Sequence, residues 1–432
     1  MNAQTSAATA AFVSEPERQI PLDAAYDVAV AGGGIAGVAA ALAAVRQGMR
    51  VVLIEKQFGL GGLATLGHVV KYLPLCDGFG RQVMGGIAEE LLHHSVAELK
   101  GAGLPAAGFV PVPDCWKAGE GTAGQEDRRK KRYMSSFNPY AFQMAMERLL
   151  EAEGVTLMYD TRVCQVLKRG DEIAHLIVEN KSGRLAIAAE VFVDASGDAD
   201  LAFLTGCPVE TYRHNVLCGW YYEINDGKVR LVSWSNPYDK EHRGGNNAVG
   251  PFFSGTDHRD VTRQVIDSRR LLLEKLAKKQ EASPESVIYP FALTSIPTFR
   301  VTRRLQNRFS LGECHRHTWL DDCVGMTGDW RRKGPVYPIP LRAIHADDCP
   351  NLFVAGRCMS SDHTVIDVTR AIGTCAVTGQ ASGMAAALLI RERIEDRRRI
   401  PVGKLQAALR KAGVIIDADL ARPHPDANAA GE

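Results

Sequence analysis

No CxxC pair occurs in the chain, and none of its ten cysteines, scattered from Cys76 to Cys375, has a spacing that would build a metal site. That excludes a dithiol redox motif and a disulfide framework, and leaves the cysteines as isolated small apolar residues of a reducing compartment. Neither sign of charge is in excess: 51 Lys and Arg oppose 50 Asp and Glu, a formal net charge of +1. A balance so near zero argues against general affinity for nucleic acid or for an anionic membrane. Apolar runs are short, and none approaches a membrane span. Residues 1–22 have neither the basic start nor the hydrophobic block of a secretion signal, so they read as a frayed extension and the protein as cytoplasmic. Residues 421–432 read as a disordered tail. What is there is the composition of a soluble globular protein, 46% hydrophobic and 23% charged, and 432 residues exceed one simple core and point to two domains.

The first motif runs from Tyr26 to Lys56, YDVAVAGGGIAGVAAALAAVRQGMRVVLIEK. A short apolar run, Val28 to Ala31, enters Gly32-Gly33-Gly34, and Gly37 follows. An alanine-rich segment, Val38 to Arg46, has helical composition, and a second apolar run, Val51 to Ile54, ends on Glu55. Strand, glycine turn, helix, strand and acid make a complete dinucleotide-binding βαβ unit. Gly32 permits the tight turn, Gly34 lets the backbone approach a pyrophosphate, and Gly37 brings the helix close to the sheet. The helix N-terminus then offers free N–H groups to the phosphates. Glu55, 18 residues past Gly37, is set to accept hydrogen bonds from ribose hydroxyls.

Beyond this unit, Gly59, Gly61 and Gly62 put three glycines in four positions, which brings backbone close to a ligand. Residues 83–99 predict a helix with Ile87, Leu91, Val96 and Leu99 on its apolar face. The stretch 117–132 predicts an exposed loop. Its second glycine motif, Gly119-x-Gly121-x-x-Gly124, has no strand before it and no apolar-faced helix after it, which rules it out as a nucleotide site; Arg128 to Arg132 read as a solvated cluster. Asn138-Pro139 opens a helix from Tyr140 to Glu153. Strands are predicted at 156–159, 162–168, 173–180 and 185–187. A separate buried strand from Val191 runs into Asp194-Ala195-Ser196-Gly197-Asp198-Ala199-Asp200, a small-residue turn of the kind that binds ligands at a strand's carboxyl end. Residues 207–334 change in character, with strands at 217–224 and 229–234, a helix at 259–280, and many aromatics and arginines. A strand at Phe353 to Gly356 enters Arg357, and helices are predicted from Asp367 to Ile390 and from Val402 to Ala412.

These pieces together are the Gly32, Gly34 and Gly37 turn with Glu55, the Gly61-Gly62 pair with Thr65, the Asp194 to Asp198 turn, LFVAGR at 352–357 and RAIGTCAVTGQASG at 370–383. Their order and spacing resemble the FAD-dependent oxidoreductases of the glutathione-reductase fold, and among these the flavoproteins allied to fumarate reductase and succinate dehydrogenase. The likeness covers residues 25–392. It implies an α/β fold, a discontinuous Rossmann-like FAD-binding domain of glutathione-reductase type with an inserted α+β substrate domain. The FAD-binding parts would be 25–80, 137–206 and 335–395, with an insertion carrying the loop at 81–136 and the substrate domain at 207–334. A flexible extension at 1–24 and a helix and tail at 396–432 would flank them.

The resemblance also implies roles for single residues. Gly32, Gly34, Ile35, Ala36 and Gly37 would hold the pyrophosphate, and Glu55, with Lys56 beside it, the adenosine ribose. Gly61 and Gly62 would run along the pyrophosphate and ribityl chain, bringing Ala64 and Thr65 near the flavin ring. Val163 would meet the adenine through its backbone. Ser196 and Gly197 would cross near the cofactor, with Asp198 in support, and Gly356 and Arg357 would lie by the ribityl phosphate. The helix starting near Arg370, through Gly373, would aim its N-terminus at the flavin's pyrimidine end.

A flavin accepts a hydride at N5, so the chain itself must supply orientation and a proton acceptor or donor. No second strand–GxGxxG–helix unit follows, so no separate nicotinamide domain is expected, and the electron acceptor is left as oxygen, a quinone or another protein. Where the related flavoproteins bind substrate, Arg300, Arg303 and Arg304 offer a bidentate grip on a carboxylate, although ion pairs explain each of them equally well. The catalytic candidates are Arg300, His363 beside Asp362 as acid or base, and Tyr337 as a pocket residue. His315 and His317, near Asp321, Asp322 and Cys323, read as exposed polar residues and not as a metal site. Gly219-Trp220-Tyr221-Tyr222-Glu223-Ile224-Asn225 is similar to the tryptophan-rich signature of flavin-dependent halogenases, but the second tryptophan and closing proline are absent and an aromatic strand explains it more simply. The function expected is an FAD-dependent dehydrogenase or oxidase of a small organic molecule, carboxylate-bearing ones among the candidates. A flavoprotein electron relay within a partner complex is the alternative, and a halogenase-like monooxygenase a more distant one.

Overall fold

Alternating apolar residues set the central sheet. Strand β1 (Leu22–Ala31) sends Val28 and Val30 to one face and Ala29 and Ala31 to the other, and β2 (Val51–Ile54) divides Val51 and Leu53 from Val52 and Ile54 in the same way. Both faces are covered, as parallel strands require. The helix between them, α1 (Ile35–Val45), has ten of its residues buried. The computed structural model describes residues 13–97, 99–100, 103, 134–235 and 250–429, so the expected loop at 117–132, with Gly119, Gly121, Gly124 and Arg128 to Arg132, lies outside the described residues.

Next come β3 (Lys71–Tyr72), α2 (Ile87–Ala97), β4 (Ser135–Ser136) and α3 (Pro139–Ala152). Asn138 caps α3, its side chain accepting from the N–H groups of Tyr140 and Ala141, with Pro139 in the first helical position. Strands β5 (Thr156–Met158), β6 (Arg162–Arg169), β7 (Glu172–Asn180) and β8 (Gly183–Asp194) follow. Residues 183–194 are one strand and not the two read from the sequence. The first part of β8 closes an antiparallel meander with β6 and β7, and its end runs parallel between β1 and a later strand, so a single segment serves two kinds of pairing.

The chain then forms α4 (Asp200–Thr205), β9 (Val209–Thr211), β10 (Cys218–Asn225), β11 (Lys228–Ser235), α5 (His258–Ala282), β12 (Ile288–Leu293) and β13 (Arg303–Leu305). Strands β11, β10 and β12 make a small antiparallel sheet. It packs on α5 through Tyr221, Trp234, Leu272 and Leu276, and the buried Glu223 carboxylate accepts from Lys279 Nζ at 2.7 Å. The short β9–β13 pair joins this layer to the main body.

The remaining elements are β14 (Cys323–Gly328), β15 (Val336–Pro340), β16 (Leu352–Val354), α6 (Ile366–Thr369), α7 (Ile372–Arg391) and α8 (Val402–Lys411). β16 completes the parallel order β5-β2-β1-β8-β16. α7 lies against α1 backbone to backbone: a Cβ at Gly379 would fall 2.1 Å from the Ala36 carbonyl oxygen, and one at Gly383 2.2 Å from that of Ala40. The break at Arg370 and Ala371 splits the helix expected over 367–390.

Several readings are corrected by packing. The β14–β15 hairpin joins the main hydrophobic core, so a substrate-domain boundary at 334 would cut through it, and α2, expected in an insertion, is buried in the same core. α7 is long and apolar enough to cross a membrane, a run that its Gly, Thr and Gln residues conceal in the sequence, and 94% of its apolar window is buried inside the protein. Residues 421–429 are not a loose tail: Ala421 and Ala427 are buried, His424 stacks on Phe79 at 4.8 Å, and His317 Nδ1 meets the Ala421 carbonyl at 2.9 Å, which also makes His317 a packed residue. Cys207 and Cys349 are not merely apolar fillers: Cys207 Sγ accepts from the Thr205 hydroxyl at 3.3 Å, and the Cys349 thiol donates to Asn351 Oδ1 at 3.6 Å.

Candidate functional site

The glycine turn is built around backbone approaches that side chains would block. Gly32 has φ +106°, outside the range L residues favour, and donates its N–H to the Ile54 carbonyl at 2.7 Å. A Cβ on Gly37 would lie 1.8 Å from the Gly32 carbonyl oxygen, so this glycine sets how tightly α1 packs under the turn. Gly34 differs: a Cβ there would meet nothing within 4 Å, because that direction opens into a cavity. The second glycine loop lies alongside, with Gly61 donating to the Gly33 carbonyl at 2.8 Å. Glu55 ties the turn as well as facing the cavity, its Oε2 accepting from Gly33 N–H at 2.6 Å and its Oε1 from Gln57 N–H at 2.8 Å.

One cavity of about 1180 Å3 gathers most of the expected cofactor residues. Gly32, Gly34, Ile35, Ala36, Glu55, Lys56, Gly61, Gly62, Ala64, Ser196, Gly197, Asp198, Gly356, Arg357 and Arg370 line it, and so does Arg300. Gly37, Thr65, Val163 and Gly373 do not line it. Gly37 faces the turn, and Thr65 is buried with its hydroxyl on the Leu60 carbonyl. A Cβ on Gly373 would run into Leu75 at 2.9 Å and Met84 at 3.1 Å. Val163 packs against the apolar cluster of Ala29, Val52 and Phe192 on the sheet, and it is its neighbour Arg162 that reaches the wall.

Two catalytic candidates lie elsewhere. Tyr337 is fully buried within β15, its hydroxyl donating to Glu313 Oε2 at 2.6 Å and accepting from Arg332 Nη2 at 3.0 Å. His363 is exposed and does not line the cavity. His363 stands out in the sequence for its place beside Asp362 just before the α7 helix, and Tyr337 for its place between Pro335 and Pro338. Arg303 and Arg304 are ion-paired to Asp200 and Glu210, and Arg300 is the member of that trio that lines the cavity.

Charge is organised at both ends. Near the glycine turn, Asp198 accepts from Arg357 Nη2 at 2.9 Å and from the Thr302 hydroxyl at 2.8 Å, with Lys56 Nζ at 3.4 Å. Burial pushes its carboxyl up, but Arg357 and Lys56 prevail and hold it below the ordinary range. Asp194, wholly buried behind this turn, is driven up to about 6 by burial with help from Asp200, against hydrogen bonds from Ser196 and from the Ala202 N–H. At the far end, Asp367 accepts from Arg370 Nη2 at 2.5 Å and faces Arg331 Nη1 at 3.8 Å, while Trp330 Nε1 donates to the Asp367 carbonyl at 2.8 Å. Arg331 also makes a two-pronged pair with Asp329 at 2.9 Å, whose carboxyl stays low in spite of burial.

Sequence reasoning missed Arg162, Trp220, His258, Phe299, Trp330 and Arg331, all on the cavity wall. Phe299 adjoins Arg300, and Trp330-Arg331 follows a buried strand, but only the fold turns the β14–β15 hairpin toward the cavity. Among the described residues, no group of three or more His, Cys, Asp or Glu side chains could hold a metal ion.

The cavity suits a long anionic dinucleotide. The N-termini of α1 and α7 both border it, through Ile35 and Ala36 on one and Ile372 and Cys375 on the other, and neither helix has a side-chain cap. Their first amides therefore remain for a ligand. The profile of the family described as FAD dependent oxidoreductase matches residues 27–217 and 315–409, more than half of the chain. A stretch of 72 residues is 36% identical to the thioredoxin reductase of Ureaplasma parvum serovar 3, covering 17% of this chain and 23% of that protein, so the chain spans less than a quarter of that relative. Among solved structures, the chain is similar to a geranylgeranyl bacteriochlorophyll reductase-like protein from Thermoplasma acidophilum, with a TM-score of 0.41, 13% identity and coverage of 92% and 89% of the two chains. It is also similar to the 3-ketosteroid-delta4-(5alpha)-dehydrogenase of Rhodococcus jostii RHA1, with a TM-score of 0.39, 15% identity and coverage of 85% and 97%. The protein belongs to the FAD dependent oxidoreductase family, with FAD as its cofactor.

Proposed function

We propose that this oxidoreductase moves a hydride between a small organic substrate bearing a carboxylate and N5 of FAD. The observation that carries this reading is one cavity, continuous from the glycine turn of α1 to a wall of arginine and tryptophan at the start of α7. FAD, when bound, supplies the electron-pair sink. Gly34, Ile35 and Ala36 would hold its pyrophosphate, Glu55 its adenosine ribose, Gly61, Gly62, Gly356 and Arg357 its middle, and the α7 N-terminus its pyrimidine end. Arg300, Arg331 and Arg370 would grip the substrate carboxylate, each guanidinium offering paired N–H donors. Asp367 fixes the direction of two of these three, which reduces the ordering they would undergo on binding. His258, on the wall at the start of α5, is exposed and so gives a proton a way out to solvent.

The test is anaerobic titration of the purified, flavin-loaded protein with a panel of small carboxylic acids and their reduced forms, followed by visible absorbance. Bleaching of the flavin by one such acid supports the reading. Bleaching only by a reduced partner protein, and by no small molecule, would replace it with an electron-relay role.

A further inference from the structure

We propose that Arg162 covers one face of the adenine ring of FAD, so that this side chain favours the dinucleotide over a mononucleotide flavin. The inference rests on the placement of FAD given above, with Glu55 at the adenosine ribose.

The order of contacts along the cavity wall carries it. Glu55 stands between two backbone amides, its Oε2 accepting from Gly33 on the glycine turn and its Oε1 from Gln57 beyond it. A pyrophosphate on the turn and a ribose on the carboxylate therefore send the base toward Gln57. That is where Arg162 is fixed. Its neighbour Thr161 donates its N–H to the Glu55 carbonyl at 3.1 Å, and Asp160 donates to the Gln57 carbonyl at 3.4 Å. The turn is also held from behind: Thr161 is buried, its hydroxyl donating to the Tyr159 carbonyl at 2.8 Å and accepting from Asn180 Nδ2 at 3.3 Å. β6 begins at Arg162, and the next residue, Val163, packs into the apolar cluster of Ala29, Val52 and Phe192. Successive residues of a strand point to opposite faces, so Arg162 turns away from that cluster, and it lines the cavity with Glu55, Lys56 and Gln57.

The acids near Arg162 are held by other cations. Glu179 stands opposite it across the β6–β7 ladder, but Arg184 Nε holds that carboxylate at 3.2 Å. Asp200, whose charge Arg162 feels, is held by Arg303 Nη2 at 2.6 Å. Among the described residues the Arg162 guanidinium makes no hydrogen bond or close ion pair. Lys56, the other cation on this part of the wall, is turned to Asp198 at 3.4 Å. An arginine so placed beside a ribose-binding carboxylate suits the base, because a planar guanidinium lies flat on a purine face while its edge stays open to water. The exposed position of Arg162 fits that arrangement, with one side of the plane toward the cavity and the other toward solvent.

The experiment titrates flavin-stripped wild type, Arg162→Leu and Arg162→Lys with FAD, FMN and ADP. Fluorescence quenching reads the flavins, calorimetry reads ADP, and each stripped protein is melted in parallel. Arg162→Leu is expected to weaken FAD and ADP about tenfold and to leave FMN as in wild type, with a melt within about 2 °C of it. Arg162→Lys keeps the charge but not the plane, and should recover no more than about threefold of that loss. Unchanged FAD and ADP binding by Arg162→Leu, or an equal loss for FMN, overturns the adenine assignment and leaves Glu55 at the ribose. Full recovery in Arg162→Lys overturns it as well, in favour of a charge contact to phosphate. Wild type that takes up FMN as tightly as FAD and binds no ADP overturns the placement of adenosine at Glu55 instead.

Discussion

Replacing Gly34 by Val separates cofactor binding from folding. A Cβ at this position meets no protein atom within 4 Å, and the backbone at φ −67°, ψ 176° is one that valine adopts without strain. The folded protein without flavin should therefore melt within about 2 °C of the wild type, as for a surface change worth about 0.5 kcal/mol or less. The added carbons occupy the open space over the α1 N-terminus, the site proposed above for the pyrophosphate against backbone N–H groups. Losing two such charge-assisted hydrogen bonds costs about 3–6 kcal/mol, or roughly 10²- to 10⁴-fold in FAD affinity. The assay is FAD titration of flavin-stripped wild type and variant by fluorescence quenching, with parallel melts of both stripped proteins. Full-strength FAD binding by the variant would refute the pyrophosphate assignment. A collapsed melt would refute the claim that the direction is open.

Gly37→Ala should behave in the opposite way, because its Cβ would lie 1.8 Å from the Gly32 carbonyl oxygen. A loss of about 3 kcal/mol or more, lowering the stripped protein's melting temperature by roughly 6–12 °C, is expected; a melt like the wild type's would show that α1 can shift. Arg300→Ala should leave FAD occupancy unchanged and weaken carboxylate probes by about 10- to 100-fold; unchanged probe affinity would remove Arg300 from the pocket. Burial lowers the pKa of His68, His94 and His345 below the ordinary 6.5, so each stays neutral in the fold while the unfolded chain takes up protons below that pH. Their stabilising contribution is complete above about pH 6.5 and lost as pH falls toward their folded values. Asp194, raised to about 6, acts in the other sense, its contribution lost as pH rises through that value. His68→Asn should accordingly lose less stability than wild type between pH 7.5 and 5.5 in denaturant melts, and parallel slopes would contradict the role given to His68.

The cofactor half of the site was legible because its chemistry is local. The turn at Gly32 to Gly37, the acid at Glu55 and the turn at Asp194 to Asp198 are contiguous runs whose spacing follows from strand and helix geometry. The substrate half is assembled by tertiary contacts that spacing does not encode. Trp220 reads as one more aromatic on an alternating strand, and Arg331 reaches the wall only because the β14–β15 hairpin packs on α7. Tyr337 and His363 failed for the same reason: each neighbours a cavity-lining stretch in sequence, but Tyr337 turns into the core and His363 out to solvent. β8 was split in the reading because Ala188-Ala189-Glu190 interrupts its apolar pattern, where the strand passes from meander to parallel sheet.

The most direct test of the central claim is the flavin content of the purified full-length protein, measured by visible absorbance before and after denaturation and by identification of the released flavin. FAD at about one per chain is the predicted result. A colourless protein that takes up no FAD on incubation, or one that retains a mononucleotide flavin alone, would contradict the assignment of the cavity from Gly32 to Arg370.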